Sequence, residues 1–172
     1  MRIGSAIGPF DIEVTVRTYE LDVLGHTNNA VYLNWAEQAR LSAFGALGFG
    51  LDSVLAGDVM YVIARAEVDF RHPTHLGERL VIATRLEGVG TSSIRLWQPV
   101  VRCDDGELVC GVRAVIVWLG EDGRPARLPD DVRARLGRLP VVEGGTATVS
   151  GGAIPGEPGG AQAVETTQGN DS

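Results

Sequence analysis

The stretch from Tyr19 to Tyr32 reads YELDVLGHTNNAVY and lies between two segments of different periodicity. Before it, residues 10–17 alternate apolar and polar side chains, which predicts a half-buried strand. After it, apolar residues recur at helical spacing from about Asn29 to Leu47, which predicts one long helix. The polar stretch therefore joins a strand to a helix, and what surrounds that helix decides the fold.

The predicted helix is apolar on more than one face. The residues at helical spacing are Tyr32, Trp35, Ala36, Ala39, Ala43 and Leu47, and further apolar residues are Val31, Leu33, Leu41 and Phe44. Polar side chains occupy only part of the remaining surface, so we expect the helix to be mostly enclosed. Gly45, Gly48 and Gly50 lie where such a helix would end.

Four strand-like segments with short joints follow the helix. They are residues 59–70, 79–86, 92–103 and 108–119. Consecutive strands with short turns predict an antiparallel sheet, and a single enclosed helix needs that sheet to wrap around it. The predicted fold class is α+β, with an antiparallel sheet of about five strands around one long central helix.

Two of these segments carry specific expectations about their faces. In residues 59–70, alternation places Val62 on the same face as Ala66, Val68 and Phe70. Residues 108–119 are almost continuously apolar, which is typical of a strand that is covered on both faces.

Composition excludes several classes of function. The formal net charge is −7 and all fifteen basic residues are arginine, so we expect no nucleic-acid partner. The first nine residues contain no apolar core of a signal peptide, and no apolar run approaches the length of a membrane span. We therefore expect a cytoplasmic protein that does not associate with membranes.

The length of 172 residues predicts one domain, residues 1–140, with a tail at 141–172. Residues 129–137 form a short amphipathic pattern that starts at Pro129 and ends at Gly137. The tail contains several glycine pairs and no aromatic residue, so it is predicted to be disordered.

Cys103 and Cys110 flank an Asp105-Gly106 turn signal. A two-residue hairpin there would place Cys110 opposite Val101, with the thiols diagonal to each other, which is poor geometry for a disulfide. Both are expected to be free thiols, in keeping with a reducing cytoplasm.

The polar stretch collects a carboxylate, Asp22, a histidine, His26, and two asparagines at the start of the predicted helix. A helix N-terminus offers unpaired N–H groups and the positive end of a dipole, which can hold a developing oxyanion. A nearby carboxylate can deprotonate water or attack a carbonyl carbon. Hydrolysis of a thioester requires little more than these two parts.

Simpler interpretations exist for each of these residues. Asn28 or Asn29 suits the N-cap position of the helix, a role that is compatible with catalysis because a cap orients the same N–H groups. An exposed Asp such as Asp22 is more commonly an ordinary loop carboxylate, and a lone histidine such as His26 is more often a structural hydrogen-bonding residue than a base. The residues by themselves leave these alternatives open.

The order Asp-x-x-Gly-His-x-Asn-Asn-x-x-Tyr, from Asp22 to Tyr32, resembles the signature of the 4-hydroxybenzoyl-CoA thioesterase-like hotdog family. Within that family it resembles the long-chain acyl-CoA thioesterase branch and the plant acyl-ACP thioesterases. Two later segments, residues 68–73 and 76–78, are also similar to the family. The resemblance spans roughly residues 9–120 in element order.

The resemblance implies an acyl-CoA thioesterase, with an acyl carrier protein thioester as the other possible substrate. Asp22 would be the general base or nucleophile, the N–H of Asn29 would bind the oxyanion, and His26 would complete the catalytic group. The substrate-binding residues would be Gly25, Asn28, Tyr32, Arg71, Thr91 and Ser92, with the last three contacting coenzyme A. Two sheets would pair side by side in a homodimer or homotetramer, with the active sites at the dimer interface. No cofactor is implied.

Other functions remain as alternatives. A hotdog hydratase or dehydratase would carry an Asp-x4-His pair, whereas Asp22 and His26 have the spacing Asp-x3-His. A non-catalytic acyl-binding module is usually fused to a further domain. No metal site is expected, because His72 and His75 lie in a loop without a third ligand.

Overall fold

A computed structural model describes residues 8–142 of the chain. The elements in this range are β1 (Asp11–Thr15), α1 (Asn29–Ala46), α2 (Leu51–Leu55), β2 (Tyr61–Phe70), β3 (Arg79–Ala83), β4 (Arg85–Val89), β5 (Ser93–Arg102), β6 (Leu108–Trp118) and α3 (Asp130–Leu136). A 3-10 helix at Thr18–Glu20 and helix α2 were not predicted from the sequence. The α+β class with one long helix is confirmed.

The strands of the described chain belong to one antiparallel sheet with the order β1-β3-β5-β6-β2, and β4 also pairs with β5. The segment predicted as one strand at 79–86 is divided at Thr84. The segment has a different pairing partner on each side of Thr84. Strand β3 pairs with β1, whereas Leu86 of β4 exchanges backbone hydrogen bonds with Pro140 and Val142. Within residues 8–142 the sheet therefore has six strands.

Helix α1 packs its apolar side against the sheet and contributes residues to two core clusters, Ala43 and Phe44 to one and Tyr32, Trp35, Ala36 and Ala39 to the other. Between them lies a buried polar layer, in which Nη1 of Arg40 donates to Oε1 of Gln98 at 3.4 Å. Nε2 of Gln98 donates to the carbonyl of Ala36 at 2.7 Å and to Oγ1 of Thr84 at 3.4 Å. Burial lowers the pKa of the Arg40 guanidinium, whose surroundings compensate its charge only weakly.

Strand β2 forms one edge of the sheet and contains a bulge at Ala64. The bulge changes the alternation, so that Ile63 pairs with buried Ile116 and Val62 pairs with Val117. The prediction that Val62 shares a face with Ala66 is therefore wrong. An extra residue in one strand shifts every earlier side chain to the other face, and simple alternation cannot reveal it.

Strand β6 is buried on its inner face and only partly covered on the outer face, where Arg113 is exposed. The prediction of complete cover on both faces is thus too strong. The turn before β6 also shifts the register, and Cys110 pairs with Val100 rather than with Val101. Both cysteines are free thiols, as expected.

The end of the described chain joins the sheet, since Val141 forms a bridge with Leu86. Helix α3 occupies the predicted amphipathic segment, with Pro129 as its N-cap. The rest of the predicted tail, from residue 143 onward, lies outside the described residues. None of the helices within residues 8–142 has the length and apolar character needed to cross a membrane.

Candidate active site

Asp22 is held in a tight loop between the 3-10 helix and α1. Its Oδ1 accepts hydrogen bonds from the backbone N–H groups of Leu24 at 2.8 Å and His26 at 3.1 Å. The backbone N–H of Asp22 donates to the carbonyl of His26 at 2.8 Å. The loop turns at Gly25, whose φ of 77° is a conformation that glycine adopts without strain. Both side-chain bonds end on Oδ1, so one carboxylate oxygen is fixed by the loop and the other is left to the cleft.

The N-terminus of α1 lies beside this loop. Oδ1 of Asn28, the N-cap, accepts a hydrogen bond from the N–H of Ala30 at 2.9 Å, and Asn28 N–H donates to the carbonyl of Glu20 at 2.8 Å. Asn29 is the first helical residue, and its N–H has no acceptor within the helix or in the cap. Asn28 thus takes the cap role that the sequence left open.

A cleft with a volume of about 530 Å³ contains both features. It is lined by Asp22, His26, Thr27, Asn28, Asn29, Tyr32, Phe70, Arg71, His72 and Pro73. One wall is the Asp22 loop with the start of α1, and the other is the end of β2 with the loop that follows it. A carbonyl group placed here can face a carboxylate and a helix N-terminus together.

A chain of hydroxyl groups joins the two walls. Oη of Tyr32 lies 2.8 Å from Oγ1 of Thr74, and Oγ1 of Thr74 donates to Oγ1 of Thr27 at 2.7 Å. The N–H of Thr27 donates to the carbonyl of Thr74 at 2.9 Å. Burial raises the pKa of the Tyr32 phenol, which is consistent with a neutral hydroxyl in this chain. Tyr32 therefore contributes its ring to the cleft and its hydroxyl to the wall.

The second wall is fastened by Arg102, whose side chain is largely buried at the end of β5. Its guanidinium donates to Glu78 at 3.1 Å, to Glu107 at 2.7 Å, to Asp105 at 2.9 Å and to the carbonyl of Pro73 at 3.1 Å. These carboxylates raise the pKa of Arg102. One guanidinium therefore ties both ends of the loop after β2 to the sheet.

The three histidines lie at this end of the molecule. The ring of His26 contacts that of His75 edge to face at 5.1 Å. Nε2 of His72 lies 3.3 Å from Glu107, and Nδ1 of His75 lies 3.4 Å from Glu78. Within residues 8–142, no three histidine, cysteine, aspartate or glutamate side chains are arranged to hold a metal ion.

The structure brings most of the predicted site residues together. Six line the cleft directly, namely Asp22, His26, Asn28, Asn29, Tyr32 and Arg71, while Gly25 shapes the loop below them. Thr91 and Ser92 do not reach this cleft. They precede the ten-residue strand β5, whose other end carries Arg102, so about 30 Å separates them from this site within one chain.

Several residues of the site were not identified from the sequence. Glu20 and Thr74 are buried next to residues of the site, and Phe70 and His72 line the cleft. The sequence analysis considered His72 as a possible metal ligand and as part of the segment 68–73 that resembles the family, but not as a residue of the site. A threonine or glutamate in a polar loop carries no local sign that it is buried, so the sequence contained no signal for Glu20 or Thr74.

Comparison with known proteins identifies the family. The thioesterase-like superfamily matches residues 16–136. The acyl-acyl carrier protein thioesterase ATL2 of Arabidopsis thaliana is 32% identical over 140 residues, which cover 81% of this chain and 74% of the relative. The long-chain acyl-CoA thioesterase FadM of Escherichia coli is 29% identical over 134 residues, covering 74% of this chain and 96% of the relative.

A solved structure shows the same fold at higher identity. A thioesterase from Thermus thermophilus, crystallised with coenzyme A and Zn, is 39% identical to this chain with a TM-score of 0.65. The match covers 73% of this chain and 90% of that protein.

Proposed function

Because the chain belongs to the thioesterase-like superfamily and is a thioester hydrolase of the hotdog fold, we propose that Asp22 and the N-terminus of α1 form its catalytic site. The observation that supports this most is the shared cleft, in which the fixed carboxylate of Asp22 and Asn29, the first residue of α1, line one wall. The substrate carbonyl lies between these two groups.

The reaction follows from this placement. The Asp22 carboxylate removes a proton from water while the water oxygen bonds to the thioester carbonyl carbon, or Asp22 itself attacks that carbon. In either case the carbonyl oxygen becomes negative and accepts the Asn29 N–H, aided by the helix dipole. The carbon–sulfur bond then breaks. In the general-base route the thiolate takes the proton that Asp22 removed from water, which restores the carboxylate. In the nucleophilic route the thiolate leaves first, and water then hydrolyses the mixed anhydride on Asp22, which releases the acid and supplies the proton to the thiolate. His26 supports the Asp22 loop through its backbone contacts.

We assign acyl-CoA as the substrate class, with acyl carrier protein thioesters as the second choice. Of the two relatives named above, one is an acyl-acyl carrier protein thioesterase and the other a long-chain acyl-CoA thioesterase, so both carriers are represented. Arg71 lies at the cleft, where a guanidinium can meet a phosphate group of coenzyme A or of a carrier-linked pantetheine. Hydrolysis assays over a range of chain lengths on both carriers, following release of free thiol, distinguish the two.

We further propose that two copies pair through β2. This strand is an edge of the sheet, and Val62, Ile63 and Phe70 are 47%, 41% and 50% exposed, which is unusual for apolar strand residues. A two-fold axis beside β2 would continue the sheet across both copies and bring a second chain to the open side of the cleft. Thr91 and Ser92 would then contact substrate only from the partner.

We also propose a cytoplasmic location, because both cysteines are free thiols and a reducing compartment keeps thiols in this state.

The assembly is tested with Ile63→Glu, which places a charge on the exposed part of β2. Light scattering should show a monomer with strongly reduced turnover. Val141→Glu, at another exposed apolar residue beside β4, should leave the assembly unchanged. If Ile63→Glu has the same molar mass as the parent protein, pairing through β2 is excluded.

The catalytic role is tested with Asp22→Asn, since asparagine retains an oxygen for the contacts to Leu24 and His26. We expect kcat to fall about 100- to 10,000-fold with the fold intact. Asp122→Asn is a matched control, because Asp122 accepts from the N–H of Arg124 at 3.0 Å in the same type of turn, away from the cleft. Unchanged turnover in Asp22→Asn would remove Asp22 from the mechanism.

A further inference from the structure

Glu20 is a buried carboxylate next to the proposed catalytic loop. It is only 8% exposed. One carboxylate oxygen accepts a hydrogen bond from the N–H of Arg17 at 2.7 Å, and the other accepts from the indole Nε1 of Trp35 at 3.1 Å. Each oxygen therefore has a different donor: Arg17 is the N-cap of the 3-10 helix that ends at Glu20, and Trp35 belongs to α1.

These contacts span the structures on both sides of Asp22. Arg17 follows strand β1, while Trp35 lies in the second turn of α1. The carbonyl of Glu20 also accepts the N–H of Asn28, the N-cap of α1, at 2.8 Å. Asp22 follows only two residues later. Glu20 is thus the point at which the start of the catalytic loop is fastened to the helix that holds the oxyanion site.

We propose that Glu20 is a positioning residue, which sets the separation between the Asp22 carboxylate and the N-terminus of α1. It does not line the cleft, so it acts through these two groups and not on the substrate. The inference rests on the proposed function of Asp22. A residue that only stabilised the fold would lower the folded fraction and leave the turnover of each folded molecule unchanged.

The carboxylate is suited to this role for a chemical reason. Both donors are N–H groups, and an ionised carboxylate accepts at both oxygens. Charge-assisted bonds of this kind are stronger and shorter than neutral ones. Glutamine has one accepting oxygen and one donating NH2 group, so Glu20→Gln leaves either Arg17 or Trp35 facing a donor. The substitution removes one contact and preserves size.

The test compares kcat and KM of Glu20→Gln with the parent protein, both shown to be folded by circular dichroism. We expect kcat to fall about 10- to 100-fold, because small displacements of reacting groups have effects of this size. KM should change by less than about threefold, since the residue does not touch substrate. The Trp35 indole N–H resonance should shift, while those of Trp97 and Trp118 stay in place.

Glu87→Gln is the matched control. Glu87 is also a partly buried carboxylate that pairs with an N–H group, that of Arg113 at 2.9 Å, but on the outer face of the sheet. It should retain parental kcat. If Glu20→Gln does not fold, Trp35→Phe removes the indole donor together with part of the ring that contacts Tyr32 edge to face at 5.3 Å. It should lower kcat as well, and parental kcat in a folded Trp35→Phe variant would overturn the positioning role.

The outcomes separate the inference from its premise. A shifted Trp35 resonance with parental kcat overturns the positioning role. A tenfold loss in the parent background that shrinks to less than about threefold in an Asp22→Asn background supports it, because the residue acts through Asp22. Parental turnover in Asp22→Asn alone overturns the proposed function itself, whatever Glu20→Gln shows.

Discussion

Oη of Tyr32 lies 2.8 Å from Oγ1 of Thr74, although 42 residues separate them along the chain. Tyr32 belongs to the first wall of the cleft and Thr74 to the loop that forms the second. Their contact therefore fixes the width of the cleft. It also uses the phenol hydroxyl, so Tyr32 offers its ring, and not a proton, to a bound acyl group.

Thr74→Val should weaken the fold measurably. Valine has a similar shape, but it leaves the Tyr32 hydroxyl without its buried partner and removes the donor to the Thr27 hydroxyl, which keeps only its bond to the carbonyl of residue 74. This loss costs about 1–3 kcal/mol. Urea denaturation followed by circular dichroism measures the change in the free energy of unfolding. Thr15→Val, at an exposed position in β1, should change it by less than about 0.5 kcal/mol. Equal stability of the two variants would contradict the hydroxyl chain.

The phenols of Tyr32 and Tyr61 predict a loss of stability in alkaline solution. Burial raises the pKa of both above the ordinary value of 10.0. The folded state therefore holds these protons where the unfolded state has released them, so the stabilisation is complete below pH 10 and is lost as the pH rises above it. The melting temperature, measured between pH 8 and pH 11, should fall most steeply above pH 10. Tyr32→Phe and Tyr61→Phe should each make that fall shallower, and unchanged steepness in both would refute the explanation.

Arg40 should be replaceable by methionine without loss of stability. Its guanidinium is buried, yet its nearest acceptors are Gln98 at 3.4 Å and the exposed carboxylate of Glu37 at 3.9 Å. Such contacts recover little of the cost of removing a charge from water, and this gain offsets the loss of the long bond to Oε1 of Gln98, so an apolar side chain of similar length should be close to neutral. Arg40→Ala instead leaves a cavity and should cost about 2–5 kcal/mol. Thermal unfolding compares the two, and a large loss in Arg40→Met would show that the charge itself is needed.

Arg102→Lys should reduce stability at neutral pH more than in acid. Lysine keeps the charge but cannot reach Glu78, Asp105 and Glu107 with the spread donors of a guanidinium. The pKa of Asp105 lies below 3.8, owing first to the N–H of Glu107 and then to Arg102. A carboxylate whose pKa is lower in the folded state stabilises the fold at pH values above its unfolded-state pKa of 3.8. This stabilisation is lost as the pH falls through the pKa of the folded state. The difference in melting temperature between parent and variant should therefore narrow below about pH 4. A constant difference from pH 7 to pH 3 would exclude this network as its source.

The sequence predicted the parts of the site that are continuous along the chain. Asp22, Asn28, Asn29 and Tyr32 fall in one stretch, and the helix that follows orders them in a way that helical periodicity already indicates. Arg71 was placed correctly at the end of β2. The contacts of Thr91 and Ser92 with substrate remain a prediction, since within one chain they lie at the far end of β5.

The sequence by itself determined the order of strands and helix, the α+β class and the loop that carries Asp22. These follow from local periodicity and from residues close together in the chain. Only the tertiary structure decided that Glu20 contacts Trp35, that Thr74 contacts Tyr32, and that the bulge at Ala64 reverses the faces of the β2 residues before it. The physical reason is that burial and hydrogen-bond partners depend on which distant segments come together, and periodicity contains no information about such pairs.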